Sequence, residues 1–327
     1  MAIHMFQQLI DTLKKSPKKI VFTEGTDARI LEASARLLFG TFLTPVLVGN
    51  PEEIQAAAEE AGFNIRGAEI VDPETYPDMD KMVDTMVELR KGKMTADECR
   101  AALKKGNYFG TMLVKMGVAD CLLGGATYST ADTVRPALQL VKTKPGNKIV
   151  SSCFIMVREG VGENTVLAMG DCAINIKPTE DELVEITTEV AHCARIFGID
   201  PKVAMLSYST KGSGKGEDVD KMRHAYEKVL ATNPDFDVDG ELQFDAAVSP
   251  KVGQLKSPGS PVAGYANTFI FPDINAGNIG YKIAQRLGNF DAYGPILLGL
   301  NAPINDLSRG CNAQEVYSMA IITAALA

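Results

Sequence analysis

The sequence predicts an α/β protein with largely parallel sheets. Along its 327 residues, short runs rich in β-branched residues alternate with longer stretches of helical periodicity. Such alternation is typical of βαβ units, in which a helix connects two parallel strands. Two strand-like runs, Lys148–Met156 and Thr165–Met169, are separated by a glycine-bearing turn at Arg158–Asn164. That pair predicts a hairpin, so some antiparallel pairing is expected as well.

The individual elements follow from the periodicity of the apolar residues. An amphipathic helix is predicted at the N-terminus from the spacing of Ile3, Phe6, Leu9, Ile10 and Leu13. The predicted strands are Lys19–Thr23, Thr44–Gly49, Ala68–Val71, Ala119–Gly124, Lys148–Met156, Thr165–Met169, Val203–Tyr208, Glu241–Val248, Thr268–Phe271 and Ile296–Gly299. The other predicted helices are Ala28–Phe39, Pro51–Ala61, Tyr76–Lys91, Ala96–Lys105, Glu180–Phe197, Glu217–Thr232, Asn278–Leu287 and Ala313–Leu326.

Two helices are predicted to begin at a capping box. Thr179 precedes Glu182 by three positions, and Asn312 precedes Glu315 with the same spacing. In a capping box the first side chain accepts a hydrogen bond from a free helix amide, and the acidic side chain reaches back to the cap. Farther along, Pro136 interrupts a helical pattern and predicts either a kinked helix or two short ones.

Composition narrows the classes of function. A hydrophobic fraction of 46% with 23% charged residues is ordinary for a globular protein and excludes a disordered or fibrous chain. The net charge of −8 disfavours a broad nucleic-acid groove or binding to an anionic membrane surface. The longest apolar runs fall well short of a membrane span of roughly 20 residues. Any anionic substrate is therefore expected to meet a local cationic pocket.

The compartment is expected to be the cytoplasm. The N-terminal residues lack the charged start, apolar stretch and small-residue cleavage site of a secretory signal. The six cysteines are scattered, and none forms a CxxC or CxxH pair. Reduced, mostly buried thiols are therefore expected, and a zinc site is disfavoured. No metal ligands are predicted.

Four segments concentrate glycine and small polar residues between a strand and a helix. Glu24–Arg29 is the first, and an ordinary turn is favoured there over an anion site. The second segment, Ser207–Gly216, fails the Walker pattern because glycine follows Lys215. The GxGxxG dinucleotide fingerprint is also missing after every predicted strand, which weakens an NAD-binding interpretation.

The second segment supplies candidate substrate-binding residues, namely Ser209, Thr210, Lys211, Gly212 and Ser213. Their hydroxyls and amides suit an anion nest, and a mobile surface loop is the equally weighted alternative.

The third segment, Phe271–Gly280, supplies the substrate-binding candidates Asn275 and Asn278. Its residues suit a turn with a helix cap as well as a polar ligand. The fourth, Pro303–Asn312, packs small, polar and cationic residues into a crossover of the kind where open α/β folds bind ligands.

Four motifs together resemble a known family. They are Ser129–Pro136 (STADTVRP), Ser207–Ser213 (SYSTKGS), Phe271–Asn278 (FPDINAGN) and Asn305–Cys311 (NDLSRGC). The combination resembles the phosphate acetyltransferases, or phosphotransacetylases, of the phosphate acetyl/butyryl transferase family. The resemblance runs from Lys19 to the final helix.

The resemblance implies a fold and a reaction. The fold is expected to be two-lobed, like isocitrate and isopropylmalate dehydrogenases, with the active site in the cleft between two α/β domains. The first domain would comprise residues 1–147 and 296–327. The second, residues 148–295, would be inserted and form the homodimer. A polar Pro-Gly turn within Lys142–Asn147 suits the first of these boundaries. The reaction is acetyl-CoA + phosphate ⇌ CoA + acetyl phosphate, without a metal in the chemistry, and monovalent cations can stimulate it.

The resemblance also implies roles for individual residues. Ser308 and Arg309 match the family's active-site serine and arginine, while Arg90 and Arg135 match its two other functional arginines. The family's general base is an aspartate shortly after the Ser-Arg-Gly-Cys motif, where this chain has Glu315. Capping the last helix is the nearly equal alternative for Glu315. Asp306 is the rival base, with a turn-forming role as its alternative.

The implied chemistry is attack of the CoA thiolate on acetyl phosphate. A thiol has a pKa of about 8.5 and a glutamate about 4.3, so proton transfer runs uphill by roughly 6 kcal/mol. A buried carboxylate would be a better base, since burial raises its pKa. Otherwise Ser308 and the arginines must stabilise the thiolate and the developing oxyanion.

Other functions stay open at this point. A phosphate butyryltransferase fits the same motifs, and so does a non-catalytic domain that senses acyl-CoA. An NAD-dependent decarboxylating dehydrogenase of the same fold would need a set of metal-binding aspartates, and no motif locates one. The physiological direction, allosteric control and closure of the cleft are not predicted.

Overall fold

The computed structural model describes residues 2–158 and 165–327. The chain divides into two compact units. The first unit comprises Phe6–Pro145 and Leu300–Ala327, and the second comprises Gly146–Gly299 with the residues before Phe6. Each unit has its own sheet and its own buried core.

Thirteen helices and eleven strands are found in the described residues. The helices are α1 (Ala2–Lys15), α2 (Ala28–Gly40), α3 (Pro51–Ala61), α4 (Met79–Arg90), α5 (Ala96–Leu103), α6 (Gly106–Lys115), α7 (Thr130–Pro136), α8 (Glu180–Ile196), α9 (Glu217–Ala231), α10 (Phe244–Val248), α11 (Pro250–Lys256), α12 (Ile274–Leu287) and α13 (Ala313–Ala325). The strands are β1 (Lys18–Phe22), β2 (Leu43–Val48), β3 (Glu69–Val71), β4 (Cys121–Gly124), β5 (Ser151–Arg158), β6 (Thr165–Gly170), β7 (Lys202–Leu206), β8 (Asp237–Leu242), β9 (Thr268–Ile270), β10 (Asp291–Leu298) and β11 (Ile304–Asp306).

The first unit contains a five-stranded sheet in which every pair of neighbouring strands is parallel. Its order is β11-β4-β1-β2-β3. Leu123 of β4 lies between Phe22 of β1 and Asn305 of β11. The carboxyl ends of these three strands therefore meet at one edge of the sheet, and the loops that follow them lie side by side. We call this edge the carboxyl edge.

The second unit contains a six-stranded mixed sheet in the order β10-β5-β6-β9-β7-β8. Strand β5 pairs antiparallel with β6 and with β10, whereas β6, β9, β7 and β8 run parallel. The predicted hairpin of β5 and β6 is confirmed. Of its predicted turn, Arg158 ends β5, and residues 159–164 lie outside the described residues.

Most predicted elements are confirmed to within a few residues, and both capping boxes are present. The predicted strand Glu241–Val248 is wrong, because the strand already ends at Leu242 and Phe244–Val248 form a helix. Helices α6 and α11 and strand β11 were not predicted. At Pro136 the helix α7 ends, and one π-helical turn, Ala137–Val141, continues the chain. In the part of the chain that the structure describes, no helix has both the length and the apolarity of a membrane span.

Candidate functional site

The turn Ser308–Cys311 directly follows β11 at the carboxyl edge. The amide of Leu307 donates to the carbonyl of Gly124 at 2.7 Å and thereby continues the pairing of β11 with β4. After Leu307 the chain turns, and the amide of Cys311 donates to the carbonyl of Ser308 at 2.9 Å. Ser308 and Arg309 are exposed, whereas Cys311 is buried. The turn thus presents a hydroxyl and a guanidinium at the sheet edge.

Asp306, the last residue of β11, is buried and bonded on both oxygens. Thr130 donates its hydroxyl to Oδ2 at 2.6 Å, and Thr133 donates to Oδ1 at 2.5 Å. Burial raises the pKa of the Asp306 carboxyl, and the two threonine hydroxyls lower it. The carboxylate therefore joins the first turns of α7 to β11. This position suits a structural role better than free access to a substrate thiol.

Glu315 lies in the first turn of α13 and is exposed. Its Oε2 accepts the amide of Asn312 at 2.9 Å, and Asn312 Oδ1 accepts the amide of Glu315 at 2.9 Å. The capping interpretation is therefore confirmed. The capping box uses only Oε2, and the other oxygen remains open to a ligand.

Glu24 and Tyr128 also line the carboxyl edge. Glu24 belongs to the first of the four segments, but neither residue was predicted as a site residue. Glu24 Oε1 accepts the amides of Gly125 and Thr127 at 3.0 and 3.2 Å. Its Oε2 accepts the hydroxyl of Thr23 at 2.7 Å, and that hydroxyl lies 2.8 Å from the Tyr128 hydroxyl. Burial raises the pKa of Glu24, and burial together with the Glu24 charge raises the pKa of Tyr128. This hydroxyl and carboxyl network ties the loop after β1 to the loop after β4.

Arg29 bridges three loops of the same edge. Its Nε and Nη2 bind Asp27 Oδ1 and Oδ2 at 3.0 and 2.8 Å. Nη2 also donates to the carbonyl of Ala126 at 2.9 Å. Nη1 donates to the carbonyls of Arg309 and Cys311 at 2.9 and 3.1 Å. Asp27 caps α2, so the segment Glu24–Arg29 is the strand–helix turn that the sequence favoured, with the added contacts of Arg29.

The two remaining candidate arginines lie in different surroundings. Arg135, in the last turn of α7, has a side chain that is 59% exposed, and its Nη1 lies 3.9 Å from Asp132 Oδ1. Such an exposed pair contributes little to stability. Arg90 ends α4 and is partly buried, and its Nε has no hydrogen-bond partner among the described residues. Both guanidiniums retain donors for an anion.

The candidate loop of the second unit, Ser209–Ser213, is bound by two buried carboxylates. Glu241 Oε1 accepts the Ser209 hydroxyl at 2.9 Å and the Gly212 amide at 2.6 Å. Lys211 forms an ion pair with the buried Asp239 and donates to the carbonyl of Gly240 at 2.7 Å.

Accessibility differs within this loop. Ser209 and Thr210 are buried, whereas Gly212 and Ser213 are exposed. The loop is thus shaped by its own hydrogen bonds, and its exposed end is Gly212 and Ser213.

Asn275 and Asn278 lie in the first turns of α12. Asp273 caps this helix by accepting the amide of Ala276 at 3.0 Å. Asn278 donates to the carbonyl of Cys172 at 3.1 Å, whereas Asn275 is exposed. Asn278 therefore has a structural contact, and Asn275 presents its amide at the surface.

The predicted site residues fall in both units. Ser308, Arg309, Asp306, Glu315, Arg90 and Arg135 lie in the first unit, and the candidates between Ser209 and Asn278 lie in the second. Within the first unit, the structure brings Asp306, Ser308 and Arg309 together at the carboxyl edge. Among the described residues, no group of three or more His, Cys, Asp or Glu side chains could hold a metal ion.

Comparison with known proteins adds a family to this geometry. The model of the family described as phosphate acetyl/butaryl transferase matches residues 4–324. The phosphate acetyltransferase of Bacillus subtilis is 52% identical over 323 residues, covering 99% of each chain. That of Staphylococcus epidermidis is 49% identical over 324 residues, covering 98% of this chain and 97% of its own.

Solved structures give the same result. A phosphotransacetylase from Streptococcus pyogenes has 54% identity and a TM-score of 0.95, covering 99% of this chain and 98% of its own. The EutD phosphotransacetylase of Staphylococcus aureus has 45% identity and a TM-score of 0.94 at the same coverage. The match over nearly the whole length, in sequence and in structure, shows that this chain belongs to the phosphate acetyl/butaryl transferase family.

Proposed function

We propose that this protein catalyses the reversible transfer of an acetyl group between CoA and phosphate. Its full-length similarity to phosphate acetyltransferases carries the proposal. The exposed Ser308 and Arg309 at the carboxyl edge support it, because they offer a hydroxyl and a fixed positive charge for an acyl phosphate. The family model covers both acetyl and butyryl transfer, and the curated relatives favour acetyl.

In the proposed reaction, the sulfur of CoA attacks the carbonyl carbon of acetyl phosphate. The C–S bond forms, the C–O bond to phosphate breaks, and its electron pair leaves with the phosphate oxygen. The thiol proton passes to a carboxylate. Arg309 stabilises the negative charge that develops on the carbonyl oxygen and on the leaving phosphate, and Ser308 donates a hydrogen bond to the reacting groups. A guanidinium suits this task because it donates two bonds to one anion and stays charged.

Glu315 is the proposed base, and Asp306 the proposed structural carboxylate. Both oxygens of Asp306 accept threonine hydroxyls, whereas the capping box occupies only one oxygen of Glu315. Glu315 is exposed, and its other oxygen is open to the substrate thiol. Because a thiol is a much weaker acid than a carboxylic acid, stabilisation of the thiolate by Ser308 and Arg309 must accompany the proton transfer.

Arg90 and Arg135 are proposed to bind the phosphates of CoA. The buried Nε of Arg90 has no partner among the described residues, and Arg135 is largely exposed with only a distant ion pair. In the second unit, Gly212, Ser213 and Asn275 are proposed to contact substrate. Ser209, Thr210, Lys211 and Asn278 are proposed to shape their surroundings.

Further proposals concern architecture. We propose the two-lobed arrangement of isocitrate and isopropylmalate dehydrogenases, with the site in the interdomain cleft and the second domain, predicted as residues 148–295, inserted into the first. The division of the chain into two compact units supports this proposal, and the second unit extends to Gly299 because β10 runs to Leu298. A homodimer through the second domain is proposed because α12 exposes Ile279, Ile283 and Leu287 on one face, the last of them 81% exposed. A cytoplasmic role in acetate metabolism, with stimulation by monovalent cations, completes the proposal.

The acyl preference is tested by following phosphate-dependent CoA release from acetyl-CoA and from butyryl-CoA. We expect the ratio of kcat/KM to favour acetyl-CoA by at least about tenfold, as expected when two extra methylenes must fit a small pocket. A preference for butyryl-CoA would assign the protein to the butyryl branch. Tight binding of acetyl-CoA without any turnover would instead indicate a sensor.

A further inference from the structure

The guanidinium of Arg29 uses all five of its N–H groups on the three loops that follow β1, β4 and β11. Two of them hold Asp27, one holds the carbonyl of Ala126, and two hold the carbonyls of Arg309 and Cys311. No donor is left for a substrate. The sequence separations are 97 residues to Ala126 and 280 to Arg309, so Arg29 connects distant parts of the chain.

The turn that Arg29 holds has few other attachments. Ser308, Arg309 and Gly310 are exposed, and the amides of Gly310 and Cys311 donate back to Ser308 within the turn. Its main-chain carbonyls at Arg309 and Cys311 are bound by Arg29 from outside. Removing Arg29 would therefore free the turn while leaving the strands and the buried core in place.

We propose that Arg29 is a positioning residue that fixes the Ser308–Cys311 turn relative to the loops after β1 and β4. The expected effect on catalysis rests on the proposed function, because it assumes that Ser308 and Arg309 act on the acyl phosphate. The structural claim that Arg29 holds the turn is independent of the proposed function. Asp27 orients Arg29, because it holds the guanidinium in a bidentate ion pair.

Lysine cannot replace Arg29 in this position. An ammonium has three N–H donors on one nitrogen, whereas the five acceptors around Arg29 are arranged about a planar guanidinium. Arg29→Lys therefore keeps the positive charge but cannot form all of these hydrogen bonds. It is therefore expected to behave like Arg29→Ala in both experiments below, and it serves as the second variant if the alanine protein folds poorly.

The rate at which Cys311 is labelled reports the accessibility of the turn, and it requires no activity measurement. In the folded full-length Arg29→Ala protein, we expect a maleimide to label Cys311 at least about tenfold faster than in wild type, as mapped by peptide mass. Burial raises the pKa of the Cys311 thiol and the Arg29 charge lowers it. Removing Arg29 therefore makes the thiol less acidic, so a faster rate reports greater exposure of the sulfur. Because Arg29 Nη1 also lies 3.6 Å from Cys311 Sγ, the Arg29→Lys variant, which keeps a long side chain beside the sulfur, separates movement of the turn from simple uncovering of the thiol.

Arg36 provides the matched control. It lies on the same helix and donates to Gln314 Oε1 at 2.6 Å rather than to the turn. Arg36→Ala is expected to label Cys311 at the wild-type rate. An unchanged labelling rate in both Arg29 variants would overturn the structural part of the proposal.

A double-mutant cycle with Ser308 tests the kinetic part. We expect Arg29→Ala to lower kcat about 100-fold, the size of effect that a misplaced catalytic group causes, with KM for CoA within about threefold. In a Ser308→Ala background the same change should cost about tenfold or less, because one of the two groups that Arg29 positions is gone and only Arg309 is left to be misplaced. An equal loss of kcat in both backgrounds would overturn positioning of Ser308 by Arg29. If wild type shows no turnover, the proposed function fails and the labelling result still decides the role of Arg29.

Discussion

The hydroxyl of Thr133 donates to Asp306 Oδ1 at 2.5 Å, across 173 residues of sequence. Thr130 binds the other oxygen of the same buried carboxylate. Asp306 thereby fixes the start of α7, which carries Arg135, against the strand that leads to Ser308. A carboxylate in this position organises the candidate site without being available to a substrate thiol.

Asp306→Asn is expected to change the pH dependence of stability. Burial raises the pKa of Asp306 above its unfolded value, so the native protein binds this proton more tightly than the unfolded chain. Its contribution to stability is therefore greatest below the unfolded pKa and falls as pH rises toward and through the raised native pKa. Urea unfolding between pH 4 and pH 8 should show a smaller loss of stability with rising pH in Asp306→Asn than in wild type. The exposed Asp84→Asn serves as control, and identical pH slopes in all three proteins would contradict the assignment.

Glu315→Gln separates catalysis from capping. Glutamine can keep both hydrogen bonds of the capping box, so the melting temperature should stay within about 1 °C of wild type. Loss of the proposed base should lower kcat about 100-fold or more. Glu315→Ala is the comparison, since it removes both functions. A kcat of Glu315→Gln equal to that of wild type would show that Glu315 caps the helix and is not the base.

Arg135→Gln is expected to weaken CoA binding and leave stability unchanged. The ion pair with Asp132 is exposed and contributes little, but a charged hydrogen bond to a phosphate is worth about 1.5–3 kcal/mol. KM for CoA should therefore rise about tenfold or more. Arg223→Gln is the matched control, because Arg223 forms a similar exposed pair with Asp220 on α9. An unchanged KM for CoA in Arg135→Gln would contradict the role of Arg135 in CoA binding and would indicate that it only forms a surface ion pair.

Lys211→Met is expected to destabilise the second unit. It leaves the buried Asp239 without its cation. Because the Lys211 side chain is 37% exposed, solvent screens the pair, and we expect a cost of about 1–2 kcal/mol rather than that of a fully buried pair. The double variant Lys211→Met/Asp239→Asn should recover part of that loss, because no unpaired charge remains. Urea unfolding of the three proteins makes the comparison. No recovery in the double variant would mean that Lys211 stabilises the loop by other contacts, such as its packing on Tyr226.

Ile283→Asp tests the proposed dimer. Ile283 lies on the apolar face of α12 and is 54% exposed in the single chain. We expect sedimentation to give twice the 35.1 kDa chain mass for wild type and one chain mass for the variant. The control is Phe39→Asp, an exposed apolar residue on α2 that should leave the dimer intact. A wild-type monomer, or a dimer of Ile283→Asp, would contradict this interface.

Sequence patterns predicted elements best where a local chemical signal marks them. Thr179 and Asn312 begin helices because their side chains satisfy free helix amides, and that requirement is readable from four residues. Helix α6 escaped prediction because Tyr108 and Val114 favour strands and Gly110 disfavours helices, so burial against the sheet overrides local preference. The prediction of a strand after Leu242 was wrong for a related reason, since the apolar residues of α10 continue the strand pattern beyond the end of β8.

The site could be predicted from sequence only in part. Ser308 and Arg309 stand within a recognisable motif, and Glu315 within a capping box. Arg29 carries no such signal, because three of its five acceptors are main-chain carbonyls contributed by distant loops. Glu24 and Thr23 stand directly after β1, and only the order of the strands shows that this position faces the loop after β4.

Acetyl transfer is measured by mixing the purified protein with acetyl phosphate and CoA. We expect thioester absorbance to rise without added divalent metal or nucleotide, and CoA and acetyl phosphate to be consumed in equal amounts. In Arg309→Ala the rate should fall about 100-fold, the size of effect expected for removal of an oxyanion-stabilising donor. Absence of thioester formation by wild type would contradict the proposed acetyl transfer.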